Sequence, residues 1–495
     1  MFPRLWGFHH LLGDTSQLGS SHWLPCPRAH NGVKKPGVRV STCGKVLLSG
    51  GSNAADDMAR TYLKQTDHET IEIDQEVTET VRDILDDVRT QGDDALHELT
   101  QKFDDVDREQ LRVSDGEIEA AHEALSADKR EAIDNTIENV REFHEEQFAN
   151  LDGFETEFDD GVSLGTRLVP IQRAGAYIPG GRHPLVAAPA MSIVPAKVAG
   201  VETMVACAPP QPDGSVQPAQ LYAMDQAGAD EIYCVGGAQA IGAMAYGTDS
   251  VDPVDKVCGP GNVFTTEAKR QVFGTVGIDF LAGPTEVLII ADESADPALV
   301  ATDLIAQAEH DPNSRAALID TDEDHAEAVV EEFHDQLPEF RTEDVARESW
   351  VNNGEAVVVD SREEACEVAN EYAMEHLQVM TENPRELMDD LYNYGSLFIG
   401  PHAPVVFGDK AVGTNHSLPT LEVSRYSGGI NVTTYLKVLT HQETTAEGAA
   451  KIGPWAARIC QLEGTHAHQV SAEERIPADD PYWDDFADEG SRRPE

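Results

Sequence analysis

The sequence predicts an α/β protein built on parallel sheets, in two domains, with small helical segments at the ends. Three observations lead there. Short apolar runs of strand character alternate with amphipathic stretches of helical period. Between 203 and 235 they form a strand–helix–strand unit. A strand at 203–208 ends at Pro209-Pro210, a helix covers 219–228, and a strand at 231–235 ends at Gly236-Gly237. After 284 the alternation resumes, over a chain of 495 residues, too long for one ordinary core. The two domains are in tandem or interleaved.

The elements follow in order. Residues 1–55 hold one acid, Asp14, and six bases, and no clear period. They lack the compact apolar core of a secretory signal. We read them as a non-native or disordered extension, with Met58 a candidate start. From 75 to 150 the pattern is helical: Val77, Val81, Ile84, Leu85 and Val88 recur mostly at spacings of three and four. Gly92-Asp93 breaks the run before helices at 95–103 and 129–148. Beyond 284, strands are expected at 286–291, 315–319, 356–359 and 396–399, with a helix at 297–310. From about 431 the chain reads as helical, and 476–495 reads as an acidic, disordered tail.

Asp and Glu number 89 against 36 Lys and Arg, a formal net charge of −53. That balance repels nucleic acid and anionic membranes. No stretch approaches the roughly 20 apolar residues of a membrane helix. The acids are interleaved with apolar residues of regular period, so disorder is a poor account of them. A surface adapted to high salt is the better one. Seven cysteines without a CxxC pair fit a reducing cytoplasm.

Several constellations could carry chemistry. Gln307 and His310 lie three apart near a helix end, on one face, as two metal ligands require. Taken alone, a polar helix end with a histidine near its C-terminus explains them better. Glu375-His376, read as near the end of a helix, could supply a carboxylate and an imidazole for proton transfer. A solvated helix end is an equal account. The loop from Gly408 to Pro419 holds Asp409, a candidate oxygen ligand, and His416, a candidate nitrogen ligand or substrate contact; an ordinary surface loop remains open. Glu463, His466 and His468 cluster near the C-terminus. Glycine turns at 180–181, 236–237 and 259–261 could admit a phosphate close to the backbone, but none is GxGxxG.

Taken together, these segments resemble the histidinol dehydrogenase family. The matching runs are Tyr-Ile-Pro-Gly-Gly (177–181), Val-Gly-Gly-Ala-Gln-Ala-Ile (235–241) and Val-Asp-Lys-Val-Cys-Gly-Pro-Gly-Asn (254–262). They continue with Thr-Glu-Ala-Lys-Arg (266–270), Ala-Gly-Pro-Thr-Glu-Val (282–287), Gln-Ala-Glu-His (307–310), Glu-His-Leu (375–377) and Gly-Thr-Asn-His-Ser-Leu-Pro-Thr (413–420). The likeness runs from about 75 to 470, and the order of the motifs is more specific than any one of them.

The resemblance implies two incomplete Rossmann-like domains in a domain-swapped homodimer. Residues 56–156 with 284–430 would carry zinc and the catalytic groups, and 157–283 would bind NAD+. The segment 431–475 would reach the partner subunit. The implied activity is NAD-dependent oxidation of L-histidinol through L-histidinal to L-histidine, the last step of histidine biosynthesis. One Zn2+ per subunit would be held by Gln307, His310, Asp409 and His468, with His466 a second candidate for the last position. His376 would be the base and Glu375 would activate water. Substrate would also meet Thr285 and Glu463. Tyr177, Gln239 and Asn262 would contact NAD+. Two departures stand out: Ala373-Met374 replaces the Gly-Pro usual before Glu-His, and Thr285 stands where Ser is common. The alternatives are a related zinc/NAD dehydrogenase of another amino alcohol or a sulfonate, a zinc hydrolase, a non-catalytic metal-binding protein, and an aldehyde dehydrogenase with a cysteine nucleophile.

Overall fold

The first described strand, β1 (Thr61–Lys64), leads into four helices: α1 (Gln75–Gln91), α2 (Asp93–Asp104), α3 (Asp115–Ala124) and α4 (Ala127–Ala149). The computed structural model describes residues 60–66, 74–180 and 184–485. The expected extension at 1–55 and the tail beyond 485 lie outside them. Local chemistry sets the helix starts. The Asp74 side chain accepts the Glu76 N–H at the start of α1, and Ser114 and Glu117 form a reciprocal capping box at α3.

A hairpin follows, β2 (Phe154–Asp159) and β3 (Val162–Pro170). Then β4 (Arg173–Tyr177), α5 (Ala188–Ala199), β5 (Thr203–Ala208), α6 (Pro218–Ala227), β6 (Glu231–Cys234), α7 (Gly237–Tyr246), β7 (Lys256–Cys258), α8 (Val263–Val272) and β8 (Gly277–Ile278) build one half. Next come β9 (Glu286–Ala291), α9 (Pro297–Ala308), β10 (Arg315–Asp320), α10 (Glu323–Gln336), α11 (Glu343–Asn353), β11 (Glu355–Val358), α12 (Arg362–Tyr372), β12 (His376–Met380), β13 (Ser396–Ile399) and α13 (Val405–Lys410). Strand β14 (Leu436–Thr444) and helices α14 (Ala446–Glu463), α15 (His466–Glu473) and α16 (Tyr482–Asp485) end the described chain.

Two parallel sheets carry the architecture. One has the order β6-β5-β4-β7-β8, the other β11-β10-β9-β12-β13 with β1 added antiparallel to β11. Each starts in its middle, places the next two strands on one side and the last two on the other. That reversal leaves a crevice at the carboxyl ends of the central strands, where such sheets commonly bind ligands.

The sequence reading grouped 56–156 with 284–430. Within 56–156 only β1 pairs with the six-stranded sheet. Helices α1 and α2 pack with α7 and α8 on one face of the five-stranded sheet, and α3 and α4 with α5 and α6 on the other. The stripe Val81, Ile84, Leu85 and Val88 is buried there. A Cβ on Gly242 of α7 would stand 3.1 Å from Leu85 Cδ2, so glycine permits this close packing. An apolar stripe shows that a face is buried, not which sheet buries it.

Other expectations are corrected. The segment from 431 is helical only in part: after one 3-10 turn (Val432–Tyr435), β14 pairs antiparallel with β3 along nine residue pairs, Leu436↔Pro170 to Thr444↔Val162. Its side chains are largely exposed, so it shows no alternating pattern. The stretch 476–485 does not read as a free tail: Ile476, Tyr482 and Trp483 are buried against Ala457 of α14. Glu375 and His376 do not end a helix. Helix α12 stops at Tyr372, Ala373 turns left-handed (φ 48), and His376 opens β12. That conformation usually falls to glycine, and an L-residue adopts it at a cost of roughly 1–2 kcal/mol.

At the other end of the six-stranded sheet, His325 Nδ1 lies 2.6 Å from Asp320 Oδ2 and its Nε2 3.0 Å from the Ala295 carbonyl. Both nitrogens can donate only in the imidazolium, and the Asp320 carboxylate raises the His325 pKa. The stabilisation is therefore complete below the unfolded value near pH ~6.5 and is lost as pH rises through the raised folded value. His325→Gln should cost about 1.5–3 kcal/mol in mild acid and less in alkali. Urea unfolding across pH checks this; a pH-independent difference between variant and parent would contradict it.

Candidate functional site

The six-stranded sheet presents its polar groups at the amino-terminal ends of two adjacent strands. Thr285 precedes β9 and Glu286 opens it, while Glu375 precedes β12 and His376 opens it; the strands pair with His376 opposite Val287. Glu375 Oε2 accepts from Thr285 Oγ1 at 2.6 Å and from the Glu286 N–H at 3.1 Å. Gln307 Nε2 donates to Thr285 Oγ1 at 2.8 Å. His376 Nδ1 lies 2.9 Å from the Glu286 carbonyl, which can only accept. Nδ1 therefore carries the hydrogen. Nε2 faces Asp409 Oδ1 at 3.5 Å and has no closer hydrogen-bonding partner among the described residues.

Asp409 is brought in by the short helix α13. A Cβ on the preceding Gly408 would sit 2.6 Å from the Phe398 ring of β13, so only glycine lets α13 lie this close. The following loop is pinned by Asn415, whose amide donates to the Met191 carbonyl at 2.7 Å. His416 Nε2 is buried and has no hydrogen-bond partner in the described structure.

Charges in this space couple strongly. Burial raises the Glu375 pKa. For His376 burial acts downward, but Glu375 and Asp409 outweigh it and lift the pKa to about 9. Asp409 is held well below the usual carboxylate range: burial opposes this, but His376 prevails, with help from His416 and Lys410. Burial pushes His416 down to about 4 and, against the pull of Asp409, lowers His310. Glu286 is raised to about 7 by burial and by Glu375. A compact group of carboxylates and imidazoles is thus poised for proton transfer.

A cavity of about 570 Å³ opens on the other sheet, at the carboxyl ends of its strands. Tyr177, Pro209, Gly237, Gln239 and Asn262 line it, with Asp104 on one wall. The Gly237 N–H donates to the Tyr177 hydroxyl at 3.1 Å. Asn262 Oδ1 caps α8, accepting from Phe264 and Thr265 N–H groups, each at 3.1 Å. Helices α7 and α8 begin at this cavity, and the positive end of a helix dipole favours phosphate oxygens. The 259–262 turn is fixed from below. Gly259 donates to Asp279 Oδ2 at 2.8 Å and accepts from Lys269 Nζ at 3.1 Å, and Lys269 and Asp279 form a buried ion pair.

The structure thus gathers Thr285, Gln307, Glu375, His376 and Asp409, with His310 within electrostatic reach, and separately Tyr177, Gln239 and Asn262. It does not bring Glu463 and His468 to either group within one chain. Both are exposed on the α14–α15 hairpin, where His468 borders a groove with Cys460 and Arg475. Among the described residues, no three His, Cys, Asp or Glu are grouped to hold a metal. His310 and Asp409 supply two such donors, and the Gln307 amide lies outside that residue set. Two site residues went unassigned from sequence. His416 was only a general candidate, and Glu286 was hidden in Thr-Glu-Val, where its one signal is a charge opening an apolar strand.

The family model described as histidinol dehydrogenase matches residues 67–476. A histidinol dehydrogenase homolog of Shouchella clausii (strain KSM-K16) is 46% identical over 417 residues, 84% of this chain and 98% of that protein. The histidinol dehydrogenase of Methanothermobacter thermautotrophicus is 45% identical over 396 residues, 80% of this chain and 92% of its own. A crystal structure of histidinol dehydrogenase from Elizabethkingia anophelis superimposes with a TM-score of 0.79 at 35% identity, covering 82% of this chain and 93% of that one. With the fold, the motifs and these relatives in agreement over most of its length, the chain belongs to the histidinol dehydrogenase family of oxidoreductases.

Proposed function

We propose that the protein oxidises L-histidinol to L-histidine with NAD+. The observation that carries the reading is the locked tautomer of His376. With Nδ1–H held by the Glu286 carbonyl and the Glu375 carboxylate on that same side of the ring, Nε2, which faces Asp409, is the nitrogen available as a base. In the first oxidation His376 takes the hydroxyl proton while the carbon loses hydride to NAD+, giving L-histidinal. In the second, Glu375 takes a proton from the water that adds to the aldehyde. The hydrate then loses hydride to a second NAD+. Alcohol, two NAD+ and water give carboxylate, two NADH and three protons.

Gln307, His310 and Asp409 suit one Zn2+ through nitrogen and oxygen donors, with the partner subunit's His468 as the fourth. When bound, the metal fixes the orientation of the substrate's imidazole and amino groups. Asp409 committed as a ligand would relax its hold on His376, which favours the neutral base. Thr285 and Glu463 would also contact substrate. Tyr177, Gln239 and Asn262 would contact NAD+, whose phosphates the starts of α7 and α8 favour.

A homodimer supplies the missing residues. Ile452, Trp455, Ile459 and Leu462 form an exposed apolar stripe at spacings of three and four on α14, the helix that ends in Glu463. Such a stripe suits a second copy of the chain. The five described cysteines are unpaired, which fits a reducing cytoplasm. No described helix is long and apolar enough to cross a membrane.

NADH absorbance with L-histidinol, NAD+ and Zn2+ in high salt tests the activity. Two NADH per histidine are expected. No NADH would overturn the reading, and faster turnover of another amino alcohol would replace the substrate.

A further inference from the structure

We propose that Glu286 is a positioning residue for this reaction, holding both reacting side chains with its backbone and fastening the loop of His416 with its carboxylate. The inference rests on the proposed oxidation of histidinol. The backbone part is direct: its N–H binds Glu375 Oε2 at 3.1 Å and its carbonyl binds His376 Nδ1 at 2.9 Å. A shift of this one residue moves base and carboxylate together.

The side chain does separate work. Glu286 Oε1 accepts the Leu421 N–H at 3.1 Å. Leu421 (φ 56) and Glu422 (φ 61) are consecutive non-glycine residues in the left-handed region, disfavoured for both. They close the loop that runs from Asp409 through His416. A second tie lies beside the first, from the Gly283 N–H to Thr420 Oγ1 at 2.6 Å. The ends of β9 and of this loop are thus stitched together at two points, one of them a carboxylate that is 5% exposed. Such a carboxylate needs compensation. Arg315, its register partner on β10, supplies charge and in turn binds Glu355 Oε2 at 2.8 Å. Glu286 Oε1 accepts a hydrogen bond whether or not the group carries a proton, so the tie holds on both sides of neutral pH.

The chemistry predicts which changes are tolerated. Glu286→Gln keeps an oxygen acceptor for Leu421. Glu286→Ala removes it and releases the left-handed turn. Leu421→Gly makes that conformation accessible without help. In the zinc-loaded dimer, Glu286→Ala should lower kcat by about 10- to 100-fold with the KM for NAD+ held within about twofold, because the dinucleotide cavity is on the other sheet. Glu286→Gln should retain kcat within about threefold, and Leu421→Gly added to Glu286→Ala should restore most of it. The proposal is overturned if Glu286→Ala leaves kcat unchanged, if Leu421→Gly gives no recovery, or if Glu286→Gln is as impaired as Glu286→Ala. Should Glu286→Ala not fold, Glu286→Gln still decides: a loss beyond tenfold in a folded protein rejects the hydrogen-bond role. A wild-type protein that makes no NADH from histidinol would reject the underlying activity instead.

Discussion

His376→Asn should lower kcat by about 10²–10⁴-fold, the usual contribution of a positioned base. Asparagine can still donate to the Glu286 carbonyl, so the strand start should survive. What it lacks is a nitrogen that accepts a proton where Nε2 stands 3.5 Å from Asp409. Zinc content and the KM for NAD+ should stay near their parental values. For the parent, kcat should rise with pH, because the base must lose its proton and Glu375 favours keeping it. Glu375→Gln offers a contrast. It should spare the first oxidation and slow the second, so that NADH per histidine formed rises above two while histidinal accumulates. Steady-state kinetics with product analysis and metal determination would check all three. His376→Asn with kcat within threefold of the parent would remove His376 as the base.

Much of the scaffold was readable because its strands are short apolar runs punctuated by Pro and Gly. The runs 203–208, 286–291 and 396–399 have the bounds expected from sequence. The site was harder, for physical reasons. Met374-Glu375-His376 continues the helical composition of α12, and the left-handed turn that ends the helix is made by Ala373, without the glycine that would signal it. Glu375 and His376 are both held by backbone groups of Glu286, about 90 residues away in the chain, and no residue-type pattern records a backbone contact. Strand β14 was missed because it is held by its ladder to β3 rather than by a buried face. Helices α1, α2 and α4 were legible but not as belonging to the five-stranded sheet, since the match between the α1 stripe and small residues such as Gly242 arises only in three dimensions; α3, with Ala121 its one buried residue, was not read from the sequence.

A mixed dimer of two inactive chains should be active. One chain would carry His376→Asn and the other His468→Ala, each with its own affinity tag. A homodimer of the first has no base in either site. In a homodimer of the second, both sites lack the fourth metal ligand, and activity and zinc should fall together, with tight loading lost after dialysis against a chelator. In the mixed dimer, the site built on the second chain keeps its own Glu375, His376, Gln307, His310 and Asp409. It receives an intact arm from the first chain. Purified mixed dimers should therefore show about half the activity of the parent, one complete site of two. If α14–α15 served its own chain instead, both sites of the mixed dimer would be defective and no activity would return. The exposed position of His468, and the absence of any described hydrogen bond or ion pair from it to the Glu375–Asp409 cluster, argue for the first outcome. His466→Ala on either chain should leave activity near the parental level; if it instead reproduces the His468→Ala defect, the metal ligand is the other histidine of this short helix.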